Sequence, residues 1–297
     1  LLKKSGYRGD KIDIVHASEV VGMSESPAAA IRQKKNSSIR IALELVKDGR
    51  ADAVVSAGNS GVTMAMSQLL LGKLRGVDRV AIAAPMPTLK GASILIDAGA
   101  NVDCKPVNLF QFAIMGEAYA KVVFNVEHPK SGLLSIGEED AKGNMLTKES
   151  FKLLEKLGDR FIGNVEGKDL FRGKADVVVC DGFVGNIALK ISEGLAEALA
   201  EMMRAEISSR LMSKLGYLLM RPAIRSYKKK TDYAEYGGAP LLGLNHVSII
   251  CHGRSSPKAI KNAIKVASDL SSKKIPEMIA PEIAKIIGRG DCTIGKG

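Results

Sequence analysis

Four glycine-bearing loops in this 297-residue chain carry polar side chains, and each follows a short apolar segment. The loop 181–186 follows the segment 177–180 and leads into a long helical pattern. Backbone amides at a helix start carry partial positive charge, and glycine lets the backbone approach a phosphate or an oxyanion closely. Gly182, Gly185 and Asn186 are therefore candidate anion-binding residues.

The other three loops offer side chains of the same kind. A second glycine-bearing turn follows the segment 53–56 and enters a helical pattern, and the loop 97–106 at the end of the segment 93–97 has two carboxylates, an Asn and a Lys. A fourth loop, 137–144, places one lysine among three acids. The candidates in these loops are Ser56, Gly58, Asn59, Asp97, Asn101, Asp103, Lys105 and Lys142.

The segments before these loops are typical of buried strands in an α/β fold. Strand candidates are 12–15, 53–56, 80–84, 93–97, 132–136, 177–180 and 247–251, and helix candidates are 37–48, 61–72, 106–124, 147–157, 186–213, 215–228, 256–271 and 276–287. Strands that are apolar on both faces and alternate with helices indicate a mostly parallel sheet covered on each side. Ligands bind at the carboxyl ends of such strands, so we expect the four loops to meet in one phosphate-handling cleft.

Composition limits the classes of partner. The chain has 43 Lys and Arg residues against 32 Asp and Glu residues, and the formal net charge of +11 favours an acidic partner. Aromatic residues make up only 4% and Trp is absent, so we expect no nucleic-acid partner. The four cysteines form no CxxC pair, which predicts a reducing cytoplasm and no metal. No apolar stretch approaches the roughly 20 residues that span a bilayer.

One region departs from the α/β pattern. Apolar residues between 195 and 227 follow helical spacing and predict two long helices that meet near residue 216 in a hairpin. Leu215, Leu218 and Leu219 lie at the predicted tip, and basic residues follow closely. This combination suits contact with an anionic membrane. A subunit interface or a core helix explains the same pattern, and these interpretations stay open.

In these segments the chain resembles the acyl-carrier-protein-dependent phosphate acyltransferases of bacterial phospholipid synthesis. The matching segments are 56–59, 97–106, 111–113, 137–139, 164–167, 181–186 and 235–243. Among them are Ser-Ala-Gly-Asn at 56–59 and Asp-Gly-Phe-Val-Gly-Asn at 181–186. Members of that family open with a strand and an Ala-Met-Gly-Gly-Asp turn beside the cleft, and this chain begins after that point.

The resemblance implies an enzyme that transfers a long-chain acyl group from acyl carrier protein to inorganic phosphate. The product, acyl phosphate, would serve a downstream membrane acyltransferase. It also implies a homodimer without a cofactor, located in the cytoplasm at the inner face of the membrane. The implied fold is a single domain over 1–297, with a three-layer Rossmann-like sheet related to isocitrate and isopropylmalate dehydrogenases and a protruding helical hairpin at about 187–230.

Lys142 and Asn186 stand at positions that the family uses and are the first candidates for catalysis. Phosphate is already an anionic nucleophile near neutral pH, so the reaction needs positioning and charge stabilisation more than a general base. We expect Lys142 to neutralise phosphate and the Asn186 amide to donate to the thioester oxygen.

Three alternatives fit the same chain. A phosphotransacetylase-like enzyme would transfer short acyl groups between coenzyme A and phosphate in the same cleft. Hydride transfer on the related dehydrogenase fold would need a nicotinamide site. A basic membrane-docking protein would bind lipid and form no acyl phosphate.

Overall fold

The computed structural model describes residues 6–231 and 236–288. The described strands are β1 (Ala53–Ser56), β2 (Ala81–Thr88), β3 (Gly91–Ile96), β4 (Ser131–Leu134), β5 (Phe161–Val165), β6 (Val177–Val179), β7 (Ala239–Leu242) and β8 (Val247–Ile250). The described helices are α1 (Pro27–Gln33), α2 (Ser38–Lys47), α3 (Ser60–Leu71), α4 (Pro106–Phe124), α5 (Met145–Leu154), α6 (Gly167–Arg172), α7 (Gly182–Ser209), α8 (Leu211–Thr231), α9 (Pro257–Ser272) and α10 (Ile275–Gly288), with a 3-10 helix at Glu155–Arg160. Glu235, the first residue of the last matching segment, lies outside the described residues.

The strands form one sheet in the order β1-β8-β7-β2-β3-β6-β4-β5. Neighbours are parallel at β1–β8, β3–β6, β6–β4 and β4–β5, and antiparallel at β8–β7, β7–β2 and β2–β3. Within the described sheet, parallel pairs therefore outnumber antiparallel ones. The predicted mostly parallel α/β fold is confirmed.

The antiparallel pairs divide the strand ends between two edges of the sheet. β3, β6 and β4 run in one direction, so the loops that follow them leave from the same edge. Three antiparallel pairs separate β3 from β8 and its parallel neighbour β1, so β1 points the other way. The expectation that all four loops leave one edge is wrong for the loop after β1, because an apolar segment carries no mark of its direction in the sheet.

Helices cover both faces of the sheet and make the three layers. Helix α4 is buried almost throughout and packs with α9 and α10 on the face that carries Ile94, Ile96 and Val177. On the opposite face, α2 and α3 cover the β1 end, and α6 and the start of α7 cover Leu95 and Val178. A mostly apolar helix that is buried on nearly all sides, as α4 is, belongs in such a core.

One predicted strand is absent from the described chain, and two strands of the structure were not predicted. The segment 12–15 forms no strand in the described chain, and Ile14 is 79% exposed. Strands β5 and β7 were missed for local reasons. Gly163 has a positive φ in β5, and Pro240 removes a backbone donor from β7. Neither segment therefore shows the apolar alternation that indicates a strand.

The helical hairpin also differs from its prediction. Helix α7 continues to Ser209 and α8 begins at Leu211, so the two helices meet at Arg210, whose backbone is extended. Leu215, Leu218 and Leu219 therefore lie on the first turns of α8 instead of at the tip. Over the part of the chain that the structure describes, every helix is too short or too polar to cross a lipid bilayer.

The packing of α4 on the sheet generates a stability prediction. A Cβ atom at Gly116 would lie 2.5 Å from Cγ1 of Val177, so Gly116→Ala should lower the free energy of unfolding by about 1–3 kcal/mol. Gly194 in α7 is the matched control, because a Cβ there meets nothing within 4 Å among the described residues. Urea unfolding followed by circular dichroism measures both. Equal midpoints for the two variants would contradict this account of the α4 interface.

Candidate active site

The buried carboxylate of Asp97, at the end of β3, organises one wall of the candidate site. The side chain is 0% exposed. Its Oδ1 accepts hydrogen bonds from the backbone amides of Ile82 at 3.0 Å, Gly99 at 3.1 Å and Ala100 at 2.9 Å. Its Oδ2 accepts from the amide of Asn101 at 2.7 Å and from its side chain at 2.8 Å. One carboxylate thus fixes the loop that follows β3.

Two opposing effects act on the pKa of Asp97. Burial raises the pKa above its ordinary value, and hydrogen bonds from Ala100, Ile82 and Asn101 oppose that rise. Asn101 is also committed, because its side chain donates to the carbonyl of Val80 at 2.7 Å. The Asp97 carboxylate and the side-chain nitrogen of Asn101 therefore serve to shape the loop, since both are hydrogen-bonded within the protein.

The turn after β6 packs directly against this loop. The amide of Gly182 donates to the carbonyl of Asn101 at 2.7 Å, and a Cβ at Gly182 would lie 2.6 Å from that oxygen. A Cβ at Gly185 would overlap the carbonyl oxygen of Asp97. The structure therefore requires glycine at both positions for the contact between the two loops.

Helix α7 begins at Gly182 and not at residue 186, because Asp181 caps it. The Asp181 carboxylate accepts from the amide of Val184 at 2.9 Å, and its carbonyl accepts from the amide of Gly185 at 2.9 Å. These amides are occupied by the protein itself. Asn186, one turn into the helix, is exposed, and its Cβ would lie 3.3 Å from a Cβ built on Gly99.

Lys142 lies in the loop after β4, at the same edge of the sheet. Its amide donates to the carbonyl of Glu139 at 2.9 Å, and its side chain is exposed. A Cβ at the buried Gly137 would lie 3.0 Å from Cγ of Lys142, so the aliphatic stem passes close over the start of the loop. Since β4 and β6 are parallel neighbours, the structure brings the Lys142 loop and the start of α7 to one edge.

Asp103 and Lys105 lie at the start of α4, beside the Asp97 loop. Both are exposed, and the backbone amide of Lys105 donates to Oδ1 of Asn108 at 2.7 Å. Between them, burial and the nearby charge of Asp97 raise the pKa of the Cys104 thiol to about 12. A thiol in that state is protonated at neutral pH and is a poor nucleophile.

Asn59 lies in the loop after β1, at the edge of the sheet opposite to Asp97 and Lys142. Its side-chain oxygen and nitrogen are both hydrogen-bonded within the protein. It is 7% exposed, and its Oδ1 caps α3. Its Nδ2 donates to the carbonyls of Gly22 at 3.1 Å, Met23 at 3.0 Å and Glu25 at 3.0 Å. In this structure Asn59 ties the chain around residues 22–25 to the start of α3.

Ser56 and Gly58 belong to that same opposite edge. The amide of Gly58 donates to Oγ of Ser56 at 3.3 Å, which closes the turn. Helix α7 begins at the edge that carries the Asp97 loop and also contacts the loop after β8. There, Oε1 of Glu193 lies 3.4 Å from Nε2 of His252.

Comparison with known proteins identifies the family and agrees with the fold. Residues 1–278 match the family described as "Fatty acid synthesis protein". A phosphate acyltransferase from Thermodesulfovibrio yellowstonii is 61% identical over 272 residues, which are 92% of this chain and 79% of that protein. A phosphate acyltransferase from Geobacter sulfurreducens is 56% identical over 282 residues, covering 95% of this chain and 82% of that protein.

Solved structures are similar at the level of the fold. A phosphotransacetylase from Streptococcus pyogenes has a TM-score of 0.62 at 18% identity, covering 92% of this chain and 82% of that one. The EutD phosphotransacetylase from Staphylococcus aureus has a TM-score of 0.58 at 17% identity, covering 91% and 82%. Identities this low establish the shared Rossmann-like architecture alone. The family match and the two close relatives show more: this chain belongs to the phosphate acyltransferase family of fatty acid synthesis proteins.

Proposed function

We propose that this enzyme transfers a long-chain acyl group from the thioester of acyl carrier protein to inorganic phosphate. An oxygen of hydrogen phosphate forms a bond to the acyl carbon, the carbon–sulfur bond breaks, and the carrier leaves as its thiol because its sulfur takes up the proton that phosphate loses. The observation that carries the proposal is the pair of exposed side chains, Lys142 and Asn186, at one edge of the sheet beside the Asp97 loop. The acyl phosphate then serves a downstream membrane acyltransferase.

In this mechanism the protein positions phosphate and stabilises charge. Lys142 neutralises phosphate as it approaches the thioester, and the Asn186 side chain donates to the oxygen that becomes negative. Asp103 and Lys105 are exposed at the rim and orient phosphate. The protonated Cys104 thiol favours direct attack by phosphate over an acyl-enzyme intermediate.

Charge and surface features support the proposed partners. The net charge of +11 suits an acidic carrier protein, because complementary charge speeds encounter. Helix α7 exposes apolar side chains at helical spacing, and we assign this face to a second copy of the chain. Its members are Ile187, Ile191, Leu195 and Leu199, each between 42% and 64% exposed.

We assign the first turns of α8 to peripheral contact with an anionic membrane at the cytoplasmic face. Leu215, Leu218 and Leu219 are 54%, 58% and 78% exposed. Arg221 and Arg225 follow on the same helix and supply charge that attracts anionic lipid. Such a contact would release the hydrophobic product next to the bilayer.

The first prediction concerns the acyl donor. The purified protein, incubated with phosphate and long-chain acyl carrier protein, should form acyl phosphate and free carrier thiol at equal rates. The two products are measured in separate samples, acyl phosphate by trapping with hydroxylamine and the carrier thiol with a thiol reagent. A sample without phosphate gives the background, because hydroxylamine also cleaves thioesters. Acetyl-coenzyme A is the comparison donor. A faster reaction with it would favour the phosphotransacetylase-like alternative, and lipid binding without either product would favour a docking protein.

The second prediction concerns the two proposed catalytic residues. Asn186→Ala should lower kcat by about 100- to 1000-fold, because a donor to the developing oxyanion is lost. Lys142→Ala should lower kcat/KM for phosphate to a similar extent. Lys152→Ala removes another exposed lysine, on α5, and is the control. A folded variant that keeps the wild-type rate would remove that residue from the mechanism.

The third prediction concerns the membrane contact. Replacing Leu218 and Leu219 together with Glu should weaken flotation with anionic liposomes and leave the rate on soluble acyl carrier protein unchanged. Leu69→Glu with Leu89→Glu adds the same charge at exposed leucines elsewhere, 61% and 87% exposed, and should float normally. Unchanged flotation of the α8 variant would show that these leucines do not bind the membrane.

A further inference from the structure

Asn164 is a buried polar residue in β5, on the strand next to the one that leads into the Lys142 loop. It is 3% exposed, and its Nδ2 donates to the carbonyl of Glu139 at 2.8 Å. Its Oδ1 is buried without a hydrogen-bond partner among the described residues. An unpaired buried acceptor costs on the order of 1–3 kcal/mol, and Asn is disfavoured in strands. Asn164 therefore lowers the stability of the strand that contains it.

The carbonyl that Asn164 holds is the one that closes the turn before Lys142. Glu139 accepts from the amide of Lys142 at 2.9 Å and from Nδ2 of Asn164 at 2.8 Å through the same oxygen. A carbonyl that accepts from the residue three positions later defines a β-turn. The Asn164 side chain thus anchors a turn whose last residue is the proposed catalytic lysine.

The rest of this loop is tethered as well. Nζ of Lys174 lies 3.1 Å from Oε1 of Glu138, just before the turn. Just after it, Oδ1 of Asn144 accepts from the amide of Thr147 at 2.9 Å and caps α5. The backbone around Lys142 is therefore held on both sides while its side chain remains exposed.

Two buried polar atoms without a hydrogen-bond partner in the described chain lie beside this loop. Buried side-chain atoms without a partner in the described chain belong to four residues, Tyr119, Ser135, Ser150 and Asn164. Ser135 directly follows β4 at the base of the Lys142 loop, and Asn164 lies on the neighbouring strand. Two of the four residues thus border one loop. The loss of stability from their unpaired atoms is expected where the position serves function.

We propose that Asn164 is a positioning residue that acts through Lys142, a role that rests on the proposed function of that lysine. By fixing the Glu139 carbonyl, Asn164 holds the Lys142 backbone so that the ammonium group reaches phosphate in one geometry. A displacement of about 1 Å at a reacting group is enough to cost on the order of 100-fold in rate. The amide donor, and not only the volume of the side chain, is what the position requires.

A double-mutant cycle tests this inference. Asn164→Ala removes the anchor, and Asn164→Asp keeps the shape but places a carboxylate oxygen against the Glu139 carbonyl. Each should lower kcat/KM for phosphate by about 10- to 100-fold. In the Lys142→Ala background the same changes should cause no further loss, because the lysine that they position is gone. Ser150→Ala, which removes another buried unpaired hydroxyl, is the control and should keep the wild-type rate.

A second measurement does not depend on residual activity. Amide hydrogen exchange in a peptide covering 137–144 should be faster in both Asn164 variants than in the wild type, and unchanged in Ser150→Ala. Two outcomes would overturn this inference alone. One is that the Asn164 changes lower kcat/KM by the same factor with and without Lys142. The other is that folded Asn164 variants keep the wild-type rate while Lys142→Ala is inactive. A wild-type rate in Lys142→Ala would instead overturn the proposed role of the lysine, and this inference with it.

Discussion

The contact between the loop after β3 and the first turn of α7 is the constraint on which the candidate site depends. Asp97 gathers five N–H donors around its buried carboxylate, and this fixes the carbonyls on which α7 rests. Gly182 and Gly185 then allow the helix to approach the loop at backbone distance. Asn186 owes its place beside Gly99 to this contact, because the helix cannot shift without breaking it. Asp97 is buried and hydrogen-bonded within the protein, whereas Asn186 is exposed, which is why we propose Asn186 and not Asp97 as the group that contacts the substrate.

Much of the architecture could be predicted from the chain because its strongest signals are local. The spacing of apolar residues placed β1, β3, β6 and β8 correctly, and Pro106 marked the first residue of α4. Strands β5 and β7 escaped because Gly163 and Pro240 interrupt their patterns. The junction of α7 and α8 was misplaced because Gly216 is a helix-breaking residue by propensity, yet it lies inside α8.

The sequence could predict which loops follow strands, but it could not predict how these loops are arranged in space. Glycine and polar residues after apolar segments mark these loops, but nothing local states that β1 runs opposite to β3. That direction follows from long-range pairing, which hydrophobic patterning does not encode. The commitment of Asn59 to three carbonyls is also a tertiary property. Asn164 carried a signal, since a polar residue interrupts an otherwise apolar segment, but its partner could be found only in the fold.

Helix α7 also has a mechanical consequence. Its 28 residues make a continuous rod of about 42 Å, pinned at one end where Gly185 meets the carbonyl of Asp97. Asn186 lies next to that pin, and Arg210 lies at the far end. A rigid rod held so close to one end turns a large sideways displacement at Arg210 into a small displacement near the fixed end. A force on the outer part of the hairpin would therefore displace Asn186 far less than it displaces Arg210.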